Sequence, residues 1–395
     1  MNQKESKISE RMGINRRNFI KLVVGGAIGT ALSPLPWKLT DDLAIFTQNL
    51  PWVPVPPVGE FSNAGSLCTL CPGGCGINVR KVDERAVKIE GRTGYPVNPG
   101  GICPLGMGGL QLLYNESARF TGPMKRVGER GTGSFESISW DEAIDILYQR
   151  ISGLKAGGNT DALAAIDGNL KGSTMSAIIK RFLIALGSAN YMKMQSSQDT
   201  MDIAANLLMG TKGSVGYDLE NSDYILSLGS GLLEGWGSPA RVINAWSMWR
   251  SEESRGRVKV VQVEPRASNT ASRADKWLPA VPGTEAALVL GMAHVIIKEG
   301  LHNRDFIDNC SFGFYDFETA FGSYRRGFKT LVLEDYSPER VAEITGLEAN
   351  EIESTARDFA AATAPVAVCG RGKGALYGSL YESMSVLALN ALVGG

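Results

Sequence analysis

The chain is poor in histidine and balanced in charge, and both features narrow the classes of function that it can serve. Two histidines, His294 and His302, occur in 395 residues. A metal site built from several imidazoles is therefore nearly excluded. The 40 Lys and Arg residues are balanced by 41 Asp and Glu residues, which leaves a net charge of -1. Without a basic excess, the composition does not favour a nucleic-acid partner.

The apolar run near the N-terminus, from Leu22 to Leu35, is shorter than the ~20 residues that a membrane-spanning helix needs. It follows the stretch N-R-R-N-F-I-K, whose paired Arg16 and Arg17 are typical of a twin-arginine export signal. A short basic amphipathic helix is the alternative. We assign residues 1–36 to the signal, which predicts recognition by the twin-arginine translocase, and residues 37–60 to a Pro-rich linker.

Four of the six cysteines lie close together in the sequence. They form the motif Cys68-x-x-Cys71-x-x-x-Cys75, with Cys103 further along the chain. Three thiolates on one tight loop and a distant fourth suit a [4Fe–4S] cluster. Structural zinc more often uses two separated C-x-x-C pairs, and disulfides this local would stabilise little; both remain alternatives. The motif predicts an iron–sulfur domain over residues 61–120, and the other two cysteines are expected to be buried apolar side chains.

Beyond residue 140 the sequence alternates between helical and strand patterns. Such alternation implies βαβ units and a parallel sheet that binds ligands at the carboxyl ends of its strands. The predicted helices are Asp141–Leu154, Ser173–Leu186 and Ser238–Ser251, and the predicted strands are Ala162–Ile166, Tyr224–Leu228, Val258–Val263 and Val366–Val368. Ser139 is expected to cap the first helix and Gly187 to end the second.

Residues suited to binding a nucleotide follow several of these strands. Glu264 can accept hydrogen bonds from ribose hydroxyls, and Arg266 can bind phosphate. The turn before the helix that carries His294 can present backbone amides to an anion. Taken singly, these features are also typical of ordinary turns and caps. The residues concerned are Gly229, Ser230, Glu264, Arg266, Gly283, Thr284, Glu285, Gly370 and Arg371.

The order of these motifs resembles the molybdopterin oxidoreductase (dimethyl sulfoxide reductase) family, large subunit. The resemblance is carried by the cysteine motif, the Cys103-Pro104 pair, the passages 122–126 and 138–143, and the ending N-A-L-V-G at 390–394. It implies an α/β fold: a small N-terminal iron–sulfur domain, then doubly wound parallel-sheet nucleotide-binding domains over 121–395, with the C-terminal domains missing. By the same resemblance, the residues named at the strand ends would bind bis-molybdopterin guanine dinucleotide.

The resemblance also suggests a metal ligand. Family members bind molybdenum or tungsten through Cys, Ser, Asp or selenocysteine, and the matching position falls on Ser197. A serine alkoxide is a hard oxygen ligand suited to a high-valent metal. Ser197 can equally be a helix cap, with Asp199 in the first turn. Leu105 stands where many members have Lys or Arg between cluster and pterin, which is a departure from the family's standard electron relay.

The resemblance leads to a hypothesis about function with one alternative. The chain is expected to be the large subunit of an exported respiratory oxidoreductase, periplasmic and associated with the inner membrane. Its expected partners are an iron–sulfur or cytochrome electron-transfer subunit and a quinone-reactive membrane subunit. The alternative is a metal-free electron-transfer or scaffold subunit of a quinone-reductase complex. Leu105 and the segment P-W-K-L-T-D-D at 36–42 favour quinone-linked complexes such as the menaquinone reductase (Qrc) and polysulfide reductase types.

Overall fold

The computed structural model describes residues 16–32, 59–71, 73–169, 173–251, 258–370 and 379–394. Most of the expected linker at 37–60 and the candidate binding residue Arg371 lie outside these ranges. The chain divides into two compact units, residues 1–62 with 82–85 and residues 63–81 with 86–395.

The first unit contains the helix that carries the paired arginines. This helix, α1, extends over Arg16–Leu32, and its described side chains are exposed. In the same unit the carboxylate of Asp83 accepts a hydrogen bond from the Glu60 amide at 3.0 Å. Among the residues that the structure describes, no helix is both long and apolar enough to cross a membrane.

The region predicted to hold the cluster begins with a small sheet. Its strands follow the order β1 (Phe61–Leu67), β2 (Gly76–Val82) and β3 (Arg85–Gly91). Short elements come next: α2 (Pro104–Met107), α3 (Gly109–Tyr114), a 3-10 turn (Glu116–Ala118) and the antiparallel pair β4 (Met124–Arg126) and β5 (Phe135–Ser137). Pro104 at the start of α2 fits the first helical turn, where its missing N–H costs nothing.

A second group of elements forms a parallel two-stranded sheet with a crossover helix. Its members are α4 (Trp140–Ala156), a 3-10 turn (Thr160–Ala162), β6 (Ala165–Asp167), α5 (Thr174–Leu186), β7 (Tyr191–Lys193) and α6 (Ser197–Met209). As predicted, the Ser139 hydroxyl caps α4 by accepting from the Glu142 amide, and Gly187 ends α5 in the left-handed conformation. The apolar stripe of α4, which includes Ile144 and Leu147, is exposed.

The main sheet is parallel and its strand order is β10-β9-β8-β13. Its strands are β8 (Tyr224–Leu228), β9 (Lys259–Val263), β10 (Lys276–Leu278) and, after the small antiparallel pair β11 (Phe317–Glu318) and β12 (Tyr324–Arg325), β13 (Pro365–Cys369). The chain moves outward from β8 to β10 and then returns to place β13 on the other side of β8. This reversal creates a crevice at the carboxyl ends of β8 and β13, where open α/β sheets bind their ligands.

Helices cover both faces of the main sheet, which confirms the doubly wound fold. The helices in this part of the chain are α7 (Pro239–Trp249), α8 (Asn269–Arg273), α9 (Glu285–Lys298), α10 (Arg304–Cys310), α11 (Phe328–Asp335), α12 (Pro338–Thr345), α13 (Ala349–Ala361) and α14 (Leu380–Val393). Ile225 and Val260 pack with Trp249 of α7 on one face. Their neighbours Leu226 and Val261 point to the other face, into the core that includes α9 and α14.

The two isolated cysteines differ from each other. Cys369 ends β13 and is buried, as predicted, and burial raises the pKa of its thiol to about 12. Cys310 ends α10 and is exposed, so the prediction of a buried side chain is wrong there. The reason is its place at the end of a short helix in which Ile307 is the buried residue.

Candidate functional site

The four cysteines of the motif lie near one another, and none of them forms a disulfide in the structure. The Cys68 amide donates to the Cys75 carbonyl at 2.8 Å, which closes the loop between them. Burial raises the pKa of Cys75; the Ser238 hydroxyl opposes the rise, and the nearby Cys71, Cys68 and Cys103 add to it. The distant fourth cysteine therefore lies close enough to the loop to affect the pKa of Cys75, as the two other loop cysteines do.

Asn98 holds the two cysteine segments together and was missed by the sequence analysis. Its buried side chain accepts from the Gly76 amide at 2.8 Å and donates to the Gly76 and Gly101 carbonyls at 2.9 and 2.6 Å. Gly76 follows Cys75, and Gly101 precedes Cys103 by two residues. One amide side chain thus fixes the fourth cysteine next to the loop.

The donor set fits an iron–sulfur cluster. Within the described residues, no three His, Cys, Asp or Glu side chains converge as a single metal ion requires. A cubane cluster makes a different demand, since each cysteine binds a different iron. Small residues line the thiols: a Cβ on Gly106 would lie 3.7 Å from the Cys68 sulfur, and one on Gly73 would lie 3.3 Å from that of Cys71. Backbone can therefore approach the sulfurs closely.

The carboxyl end of β8 carries the first of the candidate dinucleotide contacts. Gly229 has φ +63°, a conformation that favours glycine, and its amide donates to the Val263 carbonyl at 2.8 Å. Ser230 is fully buried, and its carbonyl accepts from Ser227 at 2.8 Å and from Gln262 at 3.4 Å. The turn after β8 is therefore held tightly against β9.

The predicted acid and guanidinium follow β9. The Glu264 carboxylate is buried and accepts a short hydrogen bond from the Ser268 hydroxyl. Arg266 is largely exposed, and its guanidinium lies 4.0 Å from Glu264 and 3.9 Å from Glu234. Glu234, which the sequence analysis did not single out, also accepts from the Asn269 amide at 3.1 Å. The guanidinium thus stands in solvent at the sheet edge, beside two carboxylates.

The turn before α9 lies beyond β10, at the same edge. Gly283 has φ +85°, and Thr284 occupies the N-cap position. The Thr284 hydroxyl donates to the Val281 carbonyl at 2.6 Å and makes no cap hydrogen bond. Glu285 is buried in the first turn of α9. Because the Thr284 side chain does not cap the helix, it does not accept hydrogen bonds from the first backbone amides of α9. Other hydrogen-bond acceptors can therefore bind there.

Ser197 lies beside Gly370, the residue that follows β13. Gly370 has φ +103°, and a Cβ there would lie 3.7 Å from both the Ser197 hydroxyl oxygen and Nε1 of Trp236. The Trp236 indole donates to the Cys369 carbonyl at 3.1 Å. Two residues further along, the Ser238 hydroxyl lies 3.7 Å from the Cys75 sulfur. The segment 236–238 therefore contacts both the cysteine loop and the end of β13 beside Ser197.

The cap of α6 is the neighbouring Ser196, so the alternative that assigned the cap to Ser197 is wrong. The Ser196 hydroxyl accepts from the Asp199 amide, and the Asp199 carboxylate accepts from the Ser196 amide at 2.8 Å. This reciprocal capping box satisfies the helix start without Ser197. Lys193 holds the same carboxylate at 2.7 Å. Ser197, the first residue of α6, is left available for another role.

Comparisons with known proteins agree with this arrangement. The model of the molybdopterin oxidoreductase Fe4S4 domain matches residues 64–115, and that of the molybdopterin oxidoreductase family matches residues 119–386. Together these two domains imply a [4Fe–4S] cluster and a molybdopterin cofactor.

Individual relatives are similar over nearly the whole chain. The menaquinone reductase molybdopterin-binding-like subunit of Nitratidesulfovibrio vulgaris is 35% identical over 97% of this chain and 51% of its own length. The thiosulfate reductase molybdopterin-containing subunit PhsA of Salmonella typhimurium is 28% identical over 97% of this chain and 46% of its own. The chain thus spans about half the length of the curated relatives it matches.

A solved structure shares the fold. Acetylene hydratase from Pelobacter acetylenicus superposes with a TM-score of 0.65 at 24% identity, over 84% of this chain and 43% of that one. The family match covers well over half of the residues, and the chain accordingly belongs to the molybdopterin oxidoreductase family.

Proposed function

We propose that this chain is part of the large subunit of an exported respiratory oxidoreductase. Electrons would pass between a [4Fe–4S] cluster on Cys68, Cys71, Cys75 and Cys103 and a bis-molybdopterin guanine dinucleotide site. The supporting observation is the segment 236–238. Its Ser238 contacts a cluster cysteine, and its Trp236 contacts the end of β13 beside Ser197. In this proposal, the segment 236–238 would link the cluster loop to the pterin crevice.

The residues at the sheet edge have distinct tasks in this proposal. Arg266 and the first amides of α9, after Gly283 and Thr284, would bind phosphates. Glu264 would exchange the Ser268 hydroxyl for a ribose hydroxyl. Gly229, Ser230, Gly370 and Arg371 would let backbone or guanidinium approach the dinucleotides, and Glu285 would accept from the guanine edge. Ser197 would hold the metal through its oxygen. When bound, the metal–pterin cofactor supplies oxygen-atom or sulfur reduction.

A second candidate function is a metal-free electron-transfer or scaffold subunit of a quinone-reductase complex. Two observations favour it. Leu105 replaces the basic residue expected between cluster and pterin, and its side chain is partly exposed in α2. The relative at 35% identity is named a molybdopterin-binding-like subunit of a menaquinone reductase. Both functions use the same cluster cysteines. They therefore differ in whether molybdenum or tungsten is bound and not in the iron–sulfur cluster.

Metal analysis distinguishes the two functions. We expect the protein, purified anaerobically from a host that makes the cofactor, to contain molybdenum or tungsten at about one atom per chain, together with iron. The serine oxygen beside the crevice is the physical reason for expecting a hard, high-valent metal. Inductively coupled plasma mass spectrometry gives both quantities from one sample. Iron without molybdenum or tungsten would contradict the enzyme and support the scaffold subunit.

Export is proposed to use the twin-arginine translocase, which carries folded proteins. Replacing Arg16 and Arg17 by lysine should leave the protein in the cytoplasm, because the receptor reads the guanidinium pair and not charge alone. Immunoblots of periplasmic and cytoplasmic fractions measure the effect. Lys21→Arg, which keeps the pair and the net charge, is the matched control and should be exported normally. Unchanged periplasmic accumulation of the double variant would remove the assignment.

Partner subunits follow from the same proposal. An iron–sulfur or cytochrome subunit would exchange electrons with the cluster, and a quinone-reactive subunit would hold the complex at the periplasmic side of the inner membrane. Several relatives are themselves named as subunits. Exposed apolar side chains near the fourth cysteine, including Met107, Leu112 and Leu113, offer a surface for an electron-transfer partner.

A further inference from the structure

Ser238 occupies the N-cap position of α7, yet its side chain makes no cap hydrogen bond. Serine is common at this position because its hydroxyl usually accepts from an amide in the first helical turn. Here the hydroxyl oxygen lies 3.7 Å from the Cys75 sulfur, within hydrogen-bonding distance for sulfur. Cys75 is the most buried of the four cluster cysteines. The hydroxyl therefore serves the cysteine loop and not its own helix.

Gly73 allows Ser238 to lie close to the cysteine loop. A Cβ on Gly73 would lie 3.2 Å from the Ser238 hydroxyl oxygen and 3.4 Å from the Ser238 Cα. The same Cβ would lie 3.3 Å from the Cys71 sulfur. A side chain at position 73 would thus crowd Ser238 and require a small shift of the cysteine loop or of Ser238. The contact spans 163 positions of sequence, so it joins the cluster loop to the main sheet's own helix α7.

We propose that the Ser238 hydroxyl donates a hydrogen bond to the ligand sulfur of Cys75 and raises the reduction potential of the [4Fe–4S] cluster. Ser238 is then a positioning residue that acts through Cys75, not a ligand itself. This inference rests on the proposed function, because it requires the cluster to be bound.

The direction of the effect follows from charge. Reduction adds one electron to the cluster, breaks no bond and makes the thiolate ligands more negative. A hydroxyl dipole with its hydrogen towards the sulfur stabilises that more negative state more than the oxidised one. Removing the donor should therefore lower the potential. The dipole of α7 stays in place when only the hydroxyl is lost, so the change reports the hydrogen bond.

The test is a dithionite titration of the purified, cluster-loaded protein, followed by the electron paramagnetic resonance signal of the reduced cluster. We expect Ser238→Ala to lower the equilibrium constant for reduction about tenfold, which is about 59 mV for one electron. Ser337→Ala is the matched control, since Ser337 caps α12 in the usual way and should leave the potential unchanged. Iron content is measured on every sample.

A second pair of variants covers the case in which Ser238→Ala loses the cluster. Ser238→Thr and Ser238→Val have the same shape and differ by one hydroxyl, so Thr should keep the wild-type potential and Val should lower it. Equal midpoints for Ala and wild type, or for Thr and Val, would overturn the inference while leaving the cluster established. Wild-type protein without iron would instead refute the proposed function.

Discussion

Cys75→Ala should abolish the iron–sulfur cluster, with iron falling from about four atoms per chain to near zero. Cys75 is buried, its carbonyl closes the loop with the Cys68 amide, and its sulfur contacts Ser238. Loss of this thiolate would leave one iron without a protein ligand at a buried position. The broad visible absorption of anaerobically purified protein should disappear with the iron. Iron assay and absorption spectra measure the change.

The chain provides a matched control for this variant. Cys310→Ala also removes one thiol, but from the exposed end of α10. It should keep the iron content and spectrum of the wild type. Wild-type protein that contains zinc at about one atom per chain and no iron would contradict the cluster and revive the zinc alternative. Equal iron in Cys75→Ala and wild type would remove Cys75 from the ligand set.

The parts of the fold that could be predicted are those set by neighbours in sequence. The strand at 224–228 was predicted to the residue, because a run of five largely apolar residues that ends at a glycine is too short for most helices and suits a buried strand. The caps at Ser139 and Gly187 follow from local hydrogen bonding and from the left-handed conformation that glycine tolerates. Strand order could not be derived this way, since it depends on where the chain returns after β10.

In the candidate site, too, local features could be predicted and long-range contacts could not. The cysteine motif is local and was recognised, although its role as a cluster site remains a prediction. Asn98, Trp236 and Ser238 were missed because their partners lie 22, 133 and 163 positions away. Ser196 could have been found: it stands three residues before Asp199, which is the spacing of a capping box. That local spacing is enough to identify Ser196, and not Ser197, as the cap of α6.

The adjacent pair Ser196 and Ser197 allows a sharp test of the metal site. Ser196 caps α6 through its capping box with Asp199, whereas the Ser197 hydroxyl lies beside Gly370 at the end of β13. Removing a cap lowers the free energy of unfolding by about 0.5–2 kcal/mol, whereas removing a metal ligand abolishes turnover. Ser196→Ala should therefore lose stability and keep turnover, and Ser197→Ala should lose turnover and keep stability.

Ser197→Ala should keep the melting temperature and the iron content of the wild type but lose nearly all turnover. The reason is that an alkoxide ligand has no substitute in a methyl group, while the helix start stays satisfied by Ser196. Ser196→Ala should melt earlier and keep turnover at temperatures where it is folded. Turnover is measured with reduced methyl viologen as donor and with dimethyl sulfoxide (for oxygen-atom reduction) or thiosulfate (for sulfur reduction) as acceptor, beside thermal melting of all three proteins. Equal turnover in Ser197→Ala and wild type would show that this serine does not bind the metal. Wild-type protein with iron but no turnover and no molybdenum or tungsten would instead favour the scaffold subunit, in which Ser197 has no metal to hold.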